Sequence, residues 1–336
     1  MRCVIAGRQV DGLEGEISQE IARRDNRSPQ GFFVPYSLRV QQRALDTTTG
    51  AGALAHTVEP SVIEALRNST IMGRLGATLM SGLVGTIDLP KQTAKNTAYW
   101  VGEATDVTGS NATIGQIEMA PSTLGGYTDL TRRFIKQTAI DAEAFARKEL
   151  LSAVKIELDR VGINGSGTGA EPQGILQNGD LPIVAIGTNG GAPTHGKVVA
   201  LETTIAVANA DSGSLGYVTS ASGRGKLKTS EKGSAGFPIY LWGDGNTVNG
   251  YPAYASNQVP SNLTKGIGTN LTALLFGDFS TCVYGLWSGF DVLLDTITLA
   301  KSGGIRIIVL IDAQFKIRQI ERLAAIVDMT GGDVGA

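Results

Sequence analysis

The longest run of helical spacing in the chain lies between Asp141 and Val161. Thr138 and Asp141 have the residue types and the spacing that cap a first helical turn. Gly162 is predicted to end the helix in a left-handed conformation. At 1.5 Å per residue the helix is roughly 30–35 Å long, and we call it the spine helix. Its apolar residues recur in steps of one, three or four and so share one face: Ala142, Phe145, Ala146, Leu150, Leu151, Val154, Leu158 and Val161.

The segment between Thr86 and Arg133 has a different pattern, which is typical of strands. Two short runs within it are rich in β-branched and aromatic residues, TAYWVGE at 97–103 and IGQIEMA at 114–120. The residues between these runs are polar and include glycine. The pattern predicts a long two-stranded ribbon. Because an isolated ribbon is only marginally stable in water, we expect this one to lie on another surface.

Strand-like runs return near the C-terminus. FDVLLDTITLA at 290–300 and IRIIVLI at 305–311 are joined by KSGG, whose glycines favour a hairpin. The last run, AQFKIRQIERLAAIVDM at 313–329, mixes the helical and strand periods and is compatible with a further strand. Between the spine helix and these strands, residues 173–285 alternate short apolar runs with Gly, Asn, Ser and Pro, which is typical of a compact α/β unit. The fold class predicted is α+β.

The first 56 residues resemble an extension more than part of a core. Leu13, Ile17 and Ile21 form a stripe one residue wide, and a small-residue linker follows at 47–53. Two interpretations remain open: an ordinary helix packed on its own domain, or an arm that docks on a neighbouring subunit. The narrow stripe favours the arm, because it would bury little apolar surface by itself and a neighbouring subunit could cover it.

Composition narrows the classes of protein. The 336 residues are 42% hydrophobic and 18% charged with a net charge of −2, which argues against a dedicated DNA-binding domain. Cys3 and Cys282 are too few for a disulfide framework and point to a reducing site of folding. We find no signal peptide and no apolar run that could cross a bilayer. The 44 glycines are dispersed and indicate many turns and close backbone approaches.

The candidate chemical sites are weak, and we predict no catalytic, cofactor-binding or metal-ligating residues. His56 and His195 lack an acidic or cysteine partner at a telling spacing, and Asp244 belongs to only part of a calcium-loop pattern. NGSGTG at 164–169 closes a helix and has no following lysine, so a structural turn explains it better than a phosphate loop. The basic cluster at 223–233 is interpreted as a solvated mobile loop, with nucleic-acid contact as the alternative.

The order of these parts carries a resemblance to a known family. The relevant residues are NGSGTG at 164–169 with PQGI at 172–175, then FGDF at 276–279 before the C-terminal strands. WVGE at 100–103 adds a third landmark within the ribbon. In these features the chain resembles a tailed-bacteriophage major capsid protein of the Hong Kong 97 fold, over about residues 50–330.

The resemblance implies a division of the chain. A peripheral domain would hold the spine helix and the C-terminal strands, an axial domain would meet its copies at the five- and six-fold positions, and an extended β-hairpin loop would lie across a neighbour. The implied boundaries are 1–56 for the arm, 57–85, 133–172 and 286–336 for the peripheral domain, 86–132 for the extended loop, and 173–285 for the axial domain.

The implied function is structural, not enzymatic. Copies of the chain would assemble as hexamers and pentamers into an icosahedral virion shell around double-stranded DNA, built in the cytoplasm of the host bacterium. The implied partners are the chain itself, a portal protein, a scaffolding protein or protease, a decoration protein and the packaged DNA by non-specific contact, with no membrane. An encapsulin-type nanocompartment is the alternative, and an enzyme is the third reading.

The resemblance leads to two further expectations, one about covalent cross-links and one about a scaffolding segment. The family's namesake links a lysine of the extended loop to an asparagine, aided by a glutamate, but Val107, Ile305 and Asp312 lie near those positions here. Lys91 and Lys95 precede the WVGE landmark, so we expect a shell without covalent cross-links. Many relatives also carry a scaffolding segment that a protease removes. The residues ahead of the core leave no room for both that segment and an arm, so we expect a separate scaffold or a chain that begins after cleavage.

Overall fold

The structure is a computed structural model that describes residues 23, 32–34, 70–103, 106, 108–137, 142–233 and 239–332. The predicted stripe of Leu13, Ile17 and Ile21 and the predicted cap at Thr138 and Asp141 lie outside these residues. The described helices are α1 Arg132–Gln137, α2 Ala142–Asn164, α3 His195–Val207 and α4 Ala221–Thr229.

Short strands make up most of the remaining regular structure. In chain order they are β1 Phe32–Val34, β2 Thr78–Ser81, β3 Ile87–Ala94, β4 Thr113–Met119, β5 Ser122–Leu130, β6 Leu215–Thr219, β7 Trp242–Gly243, β8 Thr247–Val248, β9 Tyr251–Ala255, β10 Leu263–Lys265, β11 Gly268–Asp278, β12 Cys282–Leu286, β13 Phe290–Asp295, β14 Ile305–Ile317 and β15 Leu323–Thr330. Helix and strand are both present, as an α+β fold requires.

The described chain divides into two compact units. The first contains Thr123–Lys155 and Trp287–Asp312, together with β1. The second contains 70–122, 156–286 and the segment from Ala313 onward. Helix α2 and strand β14 each contribute residues to both units.

The first unit is built on the C-terminal hairpin. β13 pairs antiparallel with β14 from Asp291 opposite Leu310 to Asp295 opposite Arg306, which confirms the predicted hairpin. The connection contains a 3-10 helix at Ala300–Ser302 and then Gly303 at φ 68°, in the left-handed region. β1 pairs with the free edge of β13, and β5 pairs with β14. The buried apolar residues of the hairpin form its inner face: Phe290, Val292, Ile307, Val309 and Ile311.

The second unit is built on a seven-stranded sheet with β11 at its centre. β11 pairs antiparallel with β6 on one edge and with β15 on the other, and every residue of Leu271–Asp278 is buried. The remaining order runs from β6 through β9 and β8 to β7, with β10 at the other end of β11. The predicted further strand near the C-terminus is confirmed as β15. Its partner β11 lies about fifty residues earlier in the chain, which sequence patterns do not reveal.

Two apolar clusters flank this sheet. One includes Ile163 and Ile175 from the end of the spine helix and the turn after it, with Leu275 from β11. The other includes Val198 and Leu201 of α3. At about 25 cal/mol per Å² of apolar surface, these clusters are the main stabilising contribution in this unit.

The spine helix is confirmed, but its predicted end is wrong. α2 continues through Gly162 to Asn164, and Gly162 does not have a positive φ. A Cβ placed on Gly162 would overlap the hydroxyl oxygen of Tyr284 and would lie 2.9 Å from its Cζ. That hydroxyl donates a hydrogen bond to the Leu158 carbonyl at 3.3 Å. Glycine is required here because a tyrosine packs directly against the helix backbone, not because the helix stops.

Candidate assembly surfaces

The ribbon is a two-stranded sheet of β3 and β4. Its ladder runs from Ile87 opposite Met119 to Ala94 opposite Thr113. One face is covered, since Leu89 is 7% exposed and Met119 is fully buried. The other face is open to solvent, as shown by Ile114 at 75% exposure. The ribbon therefore offers one complete face for a contact outside the described chain.

The first predicted strand of the ribbon is wrong. TAYWVGE at 97–103 has no strand structure, and the true partner of β4 is β3, whose sequence IDLPKQTA contains a proline and two charged residues. Proline is tolerated because β3 is an edge strand. Strand propensity measures fit to a half-buried surface, so it favoured the aromatic run over the true strand.

The mispredicted run forms the most apolar exposed segment of the ribbon. Tyr99, Trp100 and Val101 are consecutive and are 47%, 102% and 42% exposed. The backbone beside them is tied across the loop, since the Thr97 N–H donates to the Ser110 hydroxyl at 2.9 Å. Three consecutive exposed apolar side chains, one of them a fully exposed tryptophan, make this segment a candidate interaction site.

The glycine-rich turn after the spine helix is a closed structural unit. The Gly165 N–H donates to the Val161 carbonyl at 2.8 Å, and the Gly174 N–H donates to the Gly165 carbonyl at 2.9 Å. A Cβ on Gly174 would lie 2.7 Å from the Asn164 nitrogen, so only glycine allows the two backbones to approach. The backbone groups of the turn therefore bond to one another, as the interpretation of a structural turn requires.

Charged side chains brace the same turn. Arg160 Nη2 lies 2.6 Å from Glu157 Oε1 and 2.6 Å from Glu171 Oε1. The hydrogen bond from the Ser166 hydroxyl, together with that from Arg160, lowers the pKa of Glu171. The Arg160 guanidinium is thus engaged by two carboxylates and is committed to holding the turn.

The basic cluster at 223–233 is largely helical, so its interpretation as a loop is wrong. α4 begins after Ser220, whose hydroxyl accepts from the Gly223 N–H at 2.9 Å, and Leu227 anchors the helix in the apolar cluster around α3. Arg224 and Lys228 are exposed and one turn apart. Glycine and serine gave this segment low helical propensity, and the cap with the buried leucine outweighed it.

Sequence reasoning missed a charged face in the first unit. Arg306 Nε and Nη2 donate to the two carboxylate oxygens of Asp129 at 2.7 and 2.9 Å. The Arg306 guanidinium carbon lies 4.4 Å from the centroid of the Tyr127 ring, which is 62% exposed. The hydrogen bond from Arg306 lowers the pKa of Asp129. The alternating pattern of STLGGYTDL in β5 was the signal that could have placed Tyr127 and Asp129 on one face.

The weak catalytic and metal candidates do not come together. His195 is the first residue of α3, Asp244 lies in the exposed turn between β7 and β8, and His56 lies outside the described residues. Across the described ranges, no group of three or more His, Cys, Asp or Glu is placed to hold a metal ion. Burial raises the pKa of the Cys282 thiol, which is enclosed in the core.

None of the described helices is both long enough and apolar enough to cross a membrane.

Comparison with known proteins places the chain in a family. Residues 50–327 match the model of the phage capsid family. The chain belongs to that family. The family landmarks have structural roles here: Phe276 and Phe279 are buried, while Asp278 accepts from the Ser280 N–H at 3.0 Å and pairs with Arg322 at 3.1 Å.

Two curated relatives extend the match. The major capsid protein of Halomonas phage phiHAP-1 is 32% identical over 316 residues, which cover 92% of this chain and 50% of that protein. The major capsid protein of Klebsiella oxytoca phage phiKO2 is 24% identical over 288 residues, covering 82% of this chain and 65% of that protein. The chain therefore spans about half to two thirds of the length of these relatives.

Solved structures show the same fold at low sequence identity. The capsid of a native GTA particle superposes with a TM-score of 0.66 at 17% identity, covering 85% of this chain and all of that one. A chain from Mycobacterium phage Adephagia gives a TM-score of 0.63 at 14% identity, covering 89% of this chain and all of that one. A chain from Gordonia phage Cozz gives 0.60 at 15% identity, over 87% and 98%. The expected Hong Kong 97-like α+β capsid fold is confirmed.

Proposed function

We propose that this chain is a major capsid protein that assembles with copies of itself, as hexamers and pentamers, into an icosahedral shell enclosing double-stranded DNA. Its place is the virion capsid, assembled in the cytoplasm of a bacterial host. The wider partners are a portal protein, a scaffolding protein or protease, and a decoration protein. Membership of the phage capsid family supports this function, as do the names of both curated relatives.

The observation that carries the proposal is the uncovered apolar segment of the ribbon. Trp100 is fully exposed in the single subunit, and Tyr99 and Val101 on either side of it are each more than 40% exposed. Burying a large aromatic side chain on association supplies about 1.5–3 kcal/mol, which is the usual driving force for permanent contacts between subunits. In an assembled shell the ribbon lies on a neighbouring copy, and these side chains are covered there.

The shell is held by non-covalent contacts. The residue near the cross-linking asparagine position is Ile305, at the start of β14, and its aliphatic side chain has no group to link. Asp312 accepts a hydrogen bond from the Thr123 hydroxyl at 2.6 Å, which gives it a structural role. Lys91 pairs with Glu321 at 3.6 Å. These positions support the prediction that no lysine–asparagine bond joins the subunits.

The packaged DNA is contacted without sequence preference, in part by α4. Between Ser212 and Gly243 the chain has four basic residues and a single acidic one, Glu231. The exposed Arg224 and Lys228 have no ion pair within the described part of the chain. A short, unneutralised basic helix suits the evenly charged phosphate backbone of a duplex.

The first test is electron microscopy of the purified full chain with denaturing gel analysis of the same particles. We expect closed shells of uniform size, and a single band at 35.1 kDa after boiling in detergent. Dispersed monomers would overturn the proposed shell function. A ladder of larger species would contradict the prediction that the subunits are not covalently linked, and it would leave the proposed shell function standing. A cargo protein in place of DNA within native particles would identify the encapsulin alternative.

The role of α4 is tested by the double substitution Arg224→Glu and Lys228→Glu. A matched control reverses two exposed charges elsewhere, Arg133→Glu and Lys301→Glu. We expect both variants to form shells, and only the α4 variant to lose DNA at a lower salt concentration, because fewer phosphates are neutralised. Equal salt sensitivity of the two variants would remove α4 from the DNA contact.

A further inference from the structure

A polar cleft of about 380 Å³ opens between the middle of β3 and the segments at 280–281 and 318–322. Its cationic residues are Lys91, Arg318 and Arg322, from the ribbon and from the connection between β14 and β15. The other lining residues are polar or small: Pro90, Gln92, Ser280, Thr281 and Gln319. The cleft thus gathers three positive charges in a concave surface that the sequence did not reveal.

The positive charge of the cleft is only partly neutralised. Arg322 pairs with the buried Asp278 at 3.1 Å, and Lys91 pairs with Glu321 at 3.6 Å. Arg318 is exposed, and its side chain makes a weak polar contact from Nη2 to the Met80 sulfur at 4.0 Å. Three cations therefore face two carboxylates. A guanidinium that lines a cleft and has no carboxylate partner among the described residues is suited to a carboxylate, which it can bind through two parallel hydrogen bonds.

The opposite charge is found on the open face of the ribbon. Asp88 of β3 and Glu118 of β4 are direct partners across the ladder, and both are exposed. Neither has an ion pair within the described part of the chain. Like charges directly opposite each other destabilise an antiparallel pair. The single subunit therefore carries a repulsion that an external cation would relieve.

The cleft and the acidic pair are not arranged to neutralise each other within one subunit. Asp88 and Lys91 are three residues apart on a strand, so their side chains leave opposite faces. Lys91 follows Leu89 on the covered face, whereas Asp88 and Glu118 share the open face. The Lys91 side chain and the acidic pair thus leave the ribbon on different faces, although Pro90 and Gln92 of the cleft share the face of Asp88. Two separate complementary patches fit a head-to-tail contact between copies, which closes into a ring when the rotation permits.

We propose that the cleft of one subunit receives the Asp88–Glu118 pair of a neighbouring copy, with Arg318 as the principal cation. This inference rests on the proposed self-assembly and names one of its contacts. The contact would set the orientation of successive subunits, because charge complementarity suppresses wrong arrangements more than it adds affinity. The exposed aromatic segment of the ribbon would supply most of the affinity.

The test is charge reversal with rescue, read by shell formation of the full chain at a series of subunit concentrations. Arg318→Glu reverses the cleft, and Asp88→Lys with Glu118→Lys reverses the acidic pair. Each change alone is expected to raise the concentration needed for assembly at least tenfold. The three changes together restore attraction with the signs exchanged, and assembly is expected to return to within about threefold of the natural chain.

Matched controls separate this contact from a general effect of charge. Lys301→Glu matches the cleft variant, and Asp180→Lys with Asp244→Lys matches the acidic-pair variant, all at exposed positions. The controls are expected to assemble like the natural chain. Thermal unfolding of the unassembled subunits shows whether every variant is folded, which is expected because all of the changed side chains are exposed.

Two results would overturn the proposed contact. One is a combined variant that assembles no better than the single reversals, and the other is single reversals that assemble like their controls. If the natural chain forms no closed shells, the proposed function fails instead. In that case, analytical ultracentrifugation measures the pairwise association of subunits. It shows whether each charge reversal weakens the contact and whether the combined variant restores it.

Discussion

Strand β11 and strand β3 are both hydrogen-bonded along their length, but they differ in what covers them. β11 has a partner on each edge, and eight consecutive residues from Leu271 to Asp278 are buried. β3 has one partner in its sheet, β4, and five of its eight residues are exposed. Backbone hydrogen bonds add little net stability because they replace bonds to water. The difference therefore lies in apolar burial, which β11 has along its whole central length and β3 has on one face only.

The largest expected effect comes from the core side of this comparison. Phe276→Ala removes a ring that is 1% exposed and whose centroid lies 4.3 Å from that of Tyr217. Loss of burial and the remaining cavity should lower the free energy of unfolding of the subunit by about 3–5 kcal/mol. Chemical denaturation of the unassembled subunit measures this. A loss below about 1 kcal/mol would contradict the central role assigned to β11.

The next effect concerns a buried carboxylate on the spine helix. Asp159 Oδ1 accepts from the backbone N–H groups of Ile71 and Met72 at 3.0 and 2.8 Å. Asp159→Ala leaves both donors buried without an acceptor, so we expect a loss of at least about 2 kcal/mol in unfolding free energy. Asp159→Asn retains an acceptor oxygen and should lose less. Equal losses for the two variants would contradict this role.

The same residue predicts a pH dependence with a definite sign. Burial raises the pKa of Asp159 above 3.8, against the opposing effect of its hydrogen bonds from Met72 and Ile71. The folded state therefore holds this proton more tightly than the unfolded state does. The associated stability is fully present below pH 3.8 and is lost as the pH rises through the folded pKa. Asp159→Asn should reduce this loss of unfolding free energy with rising pH, as measured by denaturation curves recorded at a series of pH values.

Asp328 supplies the contrasting control for that series. Burial alone would raise its pKa, but the hydrogen bond from Lys265 at 2.7 Å and the N–H groups of Ile186 and Gly187 together lower it below 3.8. Its contribution is therefore present above pH 3.8 and lost as the pH falls through the folded pKa. Asp328→Asn should reduce the loss of unfolding free energy as the pH falls. It should leave unchanged the loss at rising pH that is assigned to Asp159.

A smaller effect is expected where the spine helix meets Tyr284. Gly162→Ala gains about 1 kcal/mol of helical propensity but forces a methyl group against the tyrosine hydroxyl, which costs more. We expect a net loss of about 1–3 kcal/mol in unfolding free energy. In the background of Tyr284→Phe, which removes the hydroxyl oxygen, the same change should cost clearly less. Additive losses would show that the contact is not the cause.

The smallest effect on subunit stability is expected at Trp100, in the exposed segment of the ribbon. Trp100 is fully exposed, so Trp100→Ala should change the unfolding free energy of the unassembled subunit by less than about 0.5 kcal/mol. Assembly should fail or require a much higher subunit concentration, because the side chain contributes only once it is covered. Val84→Ala, at 68% exposure outside the ribbon, is the matched control. Normal assembly of the Trp100 variant would contradict the assignment of the ribbon to an interface.

Sequence patterns predicted the elements that are long or strongly periodic. The spine helix and the hairpin of β13 and β14 were predicted within a few residues, because each carries its own pattern of apolar residues and turns. The pattern failed at β3, where Pro90 and charged residues occupy a true strand, and at α4, where glycine and lysine occupy a true helix. In both places the deciding interaction is made with a partner outside the segment, which is β4 for β3 and the apolar cluster around α3 for Leu227 of α4.

The candidate surfaces show the same division. The exposed WVGE segment was recognised as a landmark because its residues are adjacent in the chain. The cleft was not, because Lys91 and Arg318 are more than two hundred residues apart and meet only in the folded unit. The pairing of Asp129 with Arg306 was missed for the same reason.

Local sequence patterns were enough to predict the α+β class, the spine helix, the C-terminal hairpin and the order of parts on which the family resemblance rests. These follow from local periodicity and turn residues, which act over a few neighbouring positions. Only the folded chain reveals that Gly162 allows close packing and does not end the helix, that β15 pairs with β11, and that Arg318 and Arg322 lie near Lys91 of β3. Such features depend on contacts between segments that are distant in the chain, and the energies of these contacts cannot be inferred from a local pattern.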